Sequence, residues 1–283
     1  VSVVRATDVG PEIRDLTGQR IAALDAPTLC HAFQATAAER PGQVAHRTPG
    51  GAIEITYAQF ADTIRSLATG FHSLGLRAGD TVALMLRNRP EFALADAAAM
   101  HLGAVAFSVY NTSSPGQIAY VCSNAGNRVI VTELAMLPRV LQARMSGVEH
   151  IVLVDGTAEG AMTLAELAAR PSHGFRFDDA WRDVQPEDVV TLIYTSGTTG
   201  PPKAVQLTHA NVMFEARAVA RALPTRLGGR GISYLPSAHV GDRVLVHYSA
   251  SMCLGTTITD VADYRQIAAV LPEVRPTSFG AVP

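Results

Sequence analysis

Apolar positions recur along this chain with two periods, and the changes between them mark its elements. Phe60, Ile64, Leu67, Phe71 and Leu74 fall at steps of four and three, the spacing of one helix face. Thr56 and Gln59 ahead of them make a capping box, and Gly75 ends the run. That stripe is core. A second helix fits Thr28 to Arg40, with Thr28 as cap and Pro41 closing it. Val44–Arg47 and Ala52–Ile55 read as short strands about a Pro49-Gly50-Gly51 turn. The stretch to about Ala26 is weakly patterned and reads as an extended arm or short strands.

From Gly79 short apolar runs alternate with helical patterns. Thr81–Arg87, Ala104–Val109, Arg128–Thr132 and His150–Val154 read as strands. Pro90–Leu102, Gln117–Asn124 and Leu134–Met145 read as the helices between them. Thr163 and Glu166 form another capping box, opening a short helix to Arg170. Pro171 to Asp188 is polar and reads as a surface connection. Strands follow near Val189–Tyr194, Ala204–Leu207 and Gly231–Leu235, with a helix from His209 to about Leu223. This alternation predicts an α/β fold, with βαβ units around a parallel sheet and ligands beyond the carboxyl ends of its strands. The expected division is an N-terminal arm and helical entry region over 1–78, a first βαβ subdomain over 79–188, and a further subdomain over 189–283, incomplete at its C-terminus.

Composition narrows the partners. Hydrophobic residues make up 48% and charged residues 17%, enough apolar surface for a core and too little charge for a disordered chain. Net charge is −2 with no long run of one sign, so neither a nucleic-acid groove nor a polybasic anchor is indicated. The longest apolar run, Phe92 to Val109, is broken by Asp96, His101 and Gly103 and falls short of the roughly 20 residues a span needs. It reads as a buried helix followed by a buried strand. Cys30, Cys122 and Cys253 form no C-x-x-C pair and are expected as buried or free thiols of a reducing compartment. No export signal pattern is present, so a cytoplasmic chain is expected, with peripheral attachment to a membrane left open.

The chemistry is concentrated in Tyr194-Thr195-Ser196-Gly197-Thr198-Thr199-Gly200-Pro201-Pro202-Lys203, directly after a strand. Glycines let backbone N–H groups turn toward an anion, hydroxyls add donors without bulk, and Lys203 adds charge. A Walker A loop fails on spacing. Counted from Gly197, its last three places hold Pro202-Lys203-Ala204, without the second glycine or the magnesium hydroxyl.

This run resembles the signature of the adenylate-forming superfamily of acyl-CoA synthetases, adenylation domains and luciferases, with Ala204 where the pattern carries Gly. Leu207-Thr208-His209-Ala210-Asn211 resembles the family's continuation into a helix. Tyr234-Leu235-Pro236-Ser237-Ala238-His239 with Asp242-Arg243 resembles its acyl-pocket segment, in a form closer to long-chain fatty acyl-CoA synthetases than to amino-acid-activating domains. Gly103 to Pro115, Arg275-Pro276-Thr277 and Ala281-Val282-Pro283 resemble further family segments in the right order.

The resemblance implies the parallel α/β N-terminal domain of these enzymes. It also implies ATP, Mg²⁺ and coenzyme A as reactants, and a fatty acid converted to acyl-AMP and then acyl-CoA. Ser196, Gly197, Thr198, Thr199, Gly200 and Lys203 would hold the pyrophosphate end. Thr195 would help hold Mg²⁺, and His239 would sit beside the reacting carboxylate. Arg243 stays open between a surface charge and a pocket residue, and His209 is expected at a helix start near the loop. The family's Tyr-Gly-x-Thr-Glu motif, its ribose-binding aspartate region and its C-terminal domain with a catalytic lysine do not occur in this sequence. A truncated, catalytically incomplete ligase is therefore expected, completed by a separate C-terminal chain. The alternatives are a non-catalytic nucleotide- or acyl-binding module and the remnant of a split ligase.

Overall fold

Thr56 and Gln59 close the expected capping box in the computed structural model, which describes residues 12–195 and 200–281. The Gln59 N–H donates to Thr56 Oγ1 at 3.3 Å, and the Thr56 N–H donates to Gln59 Oε1 at 2.9 Å. The helix they open, α2 (Tyr57–Ser73), follows α1 (Leu29–Glu39) and buries the whole Phe60–Ile64–Leu67–Phe71 stripe. Part of that stripe faces α3 (Pro90–His101), in which every residue except Glu91 is buried. Strand β4 (Val105–Ser108) is buried throughout. The long apolar run is therefore a core helix and a core strand, as its interruptions indicate.

The strands form two sheets. β1 (Val44–Arg47) and β2 (Glu54–Thr56) are the expected hairpin. β3 (Thr81–Met85), β4, β5 (Val129–Thr132), β6 (His150–Leu153), β7 (Met162–Thr163), β8 (Val189–Thr195) and β9 (Lys203–Thr208) make a seven-stranded sheet in the order β7-β6-β5-β3-β4-β8-β9. It is parallel up to β8, and β9 returns antiparallel at the edge. The order reverses at β3, so the carboxyl ends of β3, β4 and β8 share one edge, where an open sheet offers its crevice. β10 (Arg230–Ser233) and β11 (Thr257–Asp260) complete the smaller sheet in the order β10-β11-β1-β2. Strands within 1–78 thus pair with strands near residue 260, and β8 and β9 belong to the sheet begun at residue 81.

The connecting helices are α4 (Pro115–Ala125), α5 (Leu137–Gln142), α6 (Leu164–Ala168), α7 (Phe177–Asp183), α8 (His209–Ala222) and α9 (Ile267–Val274). α5 is shorter than the helix expected over Leu134–Met145. The polar connection expected over Pro171–Asp188 contains α7, which buries Phe177 and Trp181. Those two aromatics are spaced four apart, so a single turn faces both inward despite the charges around them. The weakly patterned start holds a 3₁₀ turn at Ala22–Asp25 and an isolated bridge between Arg14 and Arg20.

Sequence reasoning missed Gly241–Cys253, a π-helix packed between α1 and α8. Its i→i+5 bonding moves the apolar repeat off the 3.6-residue period that marks an α-helix. Neighbouring side chains satisfy its end: Thr36 Oγ1 donates to the Met252 carbonyl and the Tyr57 hydroxyl to the Ser251 carbonyl, both at 2.7 Å. The three cysteines are buried, and burial pushes the Cys122 and Cys253 thiols up to about 12. Among the described residues no helix is long and apolar enough to cross a membrane.

Candidate active site: a strand hairpin beside an apolar groove

Strand β8 is buried up to Tyr194 and emerges from the sheet at exposed Thr195. In the antiparallel ladder Thr195 stands opposite Lys203, the first residue of β9, so the motif's two ends form the base of a hairpin. Ser196, Gly197, Thr198 and Thr199 lie outside the described residues. Gly200 has φ +91, in the left-handed region that glycine favours, and a Cβ there would meet nothing within 4 Å. Helix α4 braces both arms. The Tyr194 hydroxyl donates to Asn124 Oδ1 at 2.9 Å, and the Tyr120 hydroxyl to the Pro202 carbonyl at 3.1 Å. Lys203 is exposed and is the chain's single lysine.

The far end of β9 meets different chemistry. Leu207 lines a groove of about 450 Å³ with Val212 and Phe214 of α8 and with Val240, Val244 and Leu245 at the start of the π-helix. Phe214 is 63% exposed, an unusual position for so large an apolar side chain. His239 precedes the groove-lining Val240; it is exposed, and its Nδ1 accepts from the Gly241 N–H at 3.1 Å. The structure therefore brings Thr195 and Lys203 together directly. It places His239 on a separate turn that shares the groove's wall.

Arg243, left open between surface and pocket, and His209, found at a helix start as expected, are both buried. Arg243 is fully buried, not a surface charge. It pairs with Asp96 of α3, donates to Ser108 Oγ at 2.5 Å and to the Ala106 carbonyl at 3.0 Å, and its Nε donates to the Tyr248 hydroxyl at 2.9 Å. Burial pulls the guanidinium pKa down, but Asp96 and Tyr248 more than offset this, so Arg243 stays charged. His209 opens α8 and accepts from the Leu29 N–H at 3.2 Å, so it joins α8 to α1. Burial pushes its imidazole down to about 3.

A buried polar cluster under the His239 turn went unread in the sequence. Asn88, just past β3, donates to Ser233 Oγ at 2.8 Å and to the Leu235 carbonyl at 2.7 Å. Asp242 accepts from Ser237 Oγ at 3.0 Å. The available signal was Asp242-Arg243 standing immediately before the apolar run Val244-Leu245-Val246, since charges inside a buried element have to be partnered. Among the described residues no group of three or more His, Cys, Asp or Glu side chains could hold a metal ion.

The sequence model of the AMP-binding enzyme family matches residues 33–283, a span that includes the hairpin and the groove. The chain belongs to the AMP-binding enzyme family. The long-chain-fatty-acid–CoA ligase FadD15 of Mycobacterium tuberculosis (strain ATCC 25618 / H37Rv) is 31% identical over 235 residues, covering 81% of this chain and 39% of the relative. The fadD11 protein of the same strain, named as a fatty-acid–CoA ligase, is 55% identical over 127 residues, or 44% of this chain and 22% of its own length. This chain of the AMP-binding family thus spans well under half of either curated relative. Its fold matches the inhibitor-bound N-terminal domain of FACL13 from Mycobacterium tuberculosis with a TM-score of 0.78 at 26% identity, covering 91% of this chain and 63% of that one. Parallel α/β architecture of the N-terminal type is thereby shared across the family match.

Proposed function

We propose that this AMP-binding chain is part of an AMP-forming ligase that activates a fatty acid with ATP and passes the acyl group to coenzyme A. One observation carries the reading. Strand β9 bears Lys203 at one end and Leu207 at the other, linking a site suited to phosphate with an apolar groove about 13 Å away at about 3.3 Å per residue. Few small metabolites need both, and an activated fatty acid does.

In this reading Ser196, Gly197, Thr198, Thr199, Gly200 and Lys203 hold the β- and γ-phosphates. Thr195 offers one hydroxyl that would help hold Mg²⁺, which when bound would supply charge neutralisation for the phosphates. A fatty-acid carboxylate oxygen attacks the α-phosphorus, the bond to the bridging oxygen breaks, and pyrophosphate leaves with charge that Lys203 stabilises. His239 sits near the carboxylate and orients it from the groove wall. The coenzyme A thiolate then attacks the acyl carbon and AMP departs. The alkyl chain lies along Leu207, Val212 and Val244. A cytoplasmic setting and a complementing C-terminal chain fit the same reading.

The test is fatty-acid-dependent ATP–pyrophosphate exchange with Mg²⁺, alongside Lys203→Ala. We expect exchange in the native chain, alone or with a C-terminal family partner added, and a loss of at least tenfold in the variant. Because Lys203 is the single lysine, amine-reactive labelling of its peptide reads ATP binding directly, and ATP is expected to protect it. Absence of both exchange and protection would overturn the proposal. Protection without exchange even with the partner would leave a binding module.

A further inference from the structure

The turn that carries His239 is tied down from beneath. It leaves β10 at Ser233, passes Pro236 and His239, and enters the π-helix at Gly241. Asp242, 1% exposed, lies under it. The Asp242 carboxylate accepts from Ser233 Oγ at 3.1 Å and from Ser237 Oγ at 3.0 Å. Asn88 adds the Ser233 and Leu235 contacts and lies 3.5 Å from Asp242 Oδ2. One carboxylate from the first turn of the π-helix and one amide from just past β3 thus hold three points of one turn.

We propose that Asp242 is the positioning residue for His239, its carboxyl fixing the 233–241 turn so that the exposed imidazole keeps one orientation at the groove. The inference rests on the reading of His239 as the group beside the substrate carboxylate. Burying a carboxyl is costly, and a simple tether needs none, because an asparagine amide spans the same distance. What the carboxyl adds is a change of role. Ionised, it accepts from both serines. Protonated, it gains a donor, and His247 Nε2 stands 3.8 Å from it without a hydrogen-bond partner among the described residues.

The charged surroundings favour that exchange near neutrality. Burial pushes the Asp242 carboxyl up to about 7; bonds from Ser237 and Ser233 oppose this, Asp260 adds to it, and Arg243 lowers it. Burial holds His247 well below its ordinary value, so it stays a neutral acceptor. Arg243 is already paired with Asp96 and Asp260 with His46 of β1, while Glu91 of α3 faces Asp260. Below about pH 7 the proton on Asp242 turns toward His247, one serine loses its acceptor, and the turn loosens.

Backbone amides of Gly241 and Ser237 report this without any catalysis. With glycine and serine ¹⁵N-labelled, their shifts are followed from pH 5.5 to 8.5 in the native chain, His239→Gln, Asp242→Asn and Ser237→Ala. We expect a transition near 7 that persists in His239→Gln, which removes the imidazole's own titration, and vanishes in Asp242→Asn. In Ser237→Ala it moves to higher pH, because a bond that favours the ionised form is gone; this arm stands if the asparagine variant fails to fold. No transition at these amides in His239→Gln, or one that survives in Asp242→Asn, overturns the proposal. Loss of ATP protection at Lys203 would sink the ligase reading separately and leave the amide result standing.

Discussion

Arg243 shows how much one residue's meaning depends on what surrounds it. In sequence it is one basic side chain beside an aspartate, equally at home on a surface. In the fold it has no exposure and meets a carboxylate, a hydroxyl, a phenol and a backbone carbonyl. A buried ion pair is weak evidence of net stabilisation, but removing one partner strands the other charge. Arg243→Met is therefore expected to lower unfolding free energy by about 3–5 kcal/mol in urea titration. Arg243→Met with Asp96→Leu should recover much of that loss, since no lone charge remains. Equal losses in the single and double variants would show that the pair's packing matters and its charge does not.

Among elements, the best-read are those whose packing follows a simple period, and α2 is the clearest. Its apolar stripe and capping box were legible, but the reason Gly70 interrupts it was not. A Cβ on Gly70 would strike the Leu167 carbonyl of α6, so the glycine permits a close helix approach. Gly116, in the first turn of α4, has nothing within 4 Å of the same atom and ordinary backbone angles. Gly70→Ala should destabilise by about 1–3 kcal/mol through overpacking. Gly116→Ala should be neutral or stabilise by up to about 1 kcal/mol through lost unfolded-state freedom. Paired thermal melts decide between them, and similar shifts would contradict the close approach. The π-helix and α7 escaped for the opposite reason, one carrying the wrong period and the other only two apolar residues among charges.

At the scale of the whole molecule, the joint between the sheets carries titratable groups that couple stability to pH. Burial pushes Asp242 up from its ordinary 3.8 to about 7 and also raises Asp260. An unfolded chain therefore releases these protons at lower pH than the folded one. The Asp242 contribution is full below about 3.8 and is lost as pH rises through about 7. Thermal stability should accordingly fall between pH 5 and pH 7, and the fall should flatten in Asp242→Asn. A melting temperature that rises across that window in the native chain would show that other groups dominate.

Taken by itself, the sequence determined what is written locally. The Thr195–Lys203 motif after a buried strand, the capping boxes at Thr56 and Thr163, the α/β alternation and the core run through α3 and β4 all depend on neighbours in the chain, where periodicity and turn chemistry act. Thr195 and Lys203 were legible as the two ends of one motif with seven residues between them, while the pairing that sets them opposite each other came from the fold. Only tertiary structure decided that β1 pairs with β11, that β9 turns antiparallel, and that Asn88 meets Ser233 and Asp242. The β1–β11 and Asn88 contacts join residues on the order of 150 to 210 positions apart, so no local pattern encodes them. They form because two sheets must bury their faces around shared helices, and the polar groups caught at the joint must then find one another.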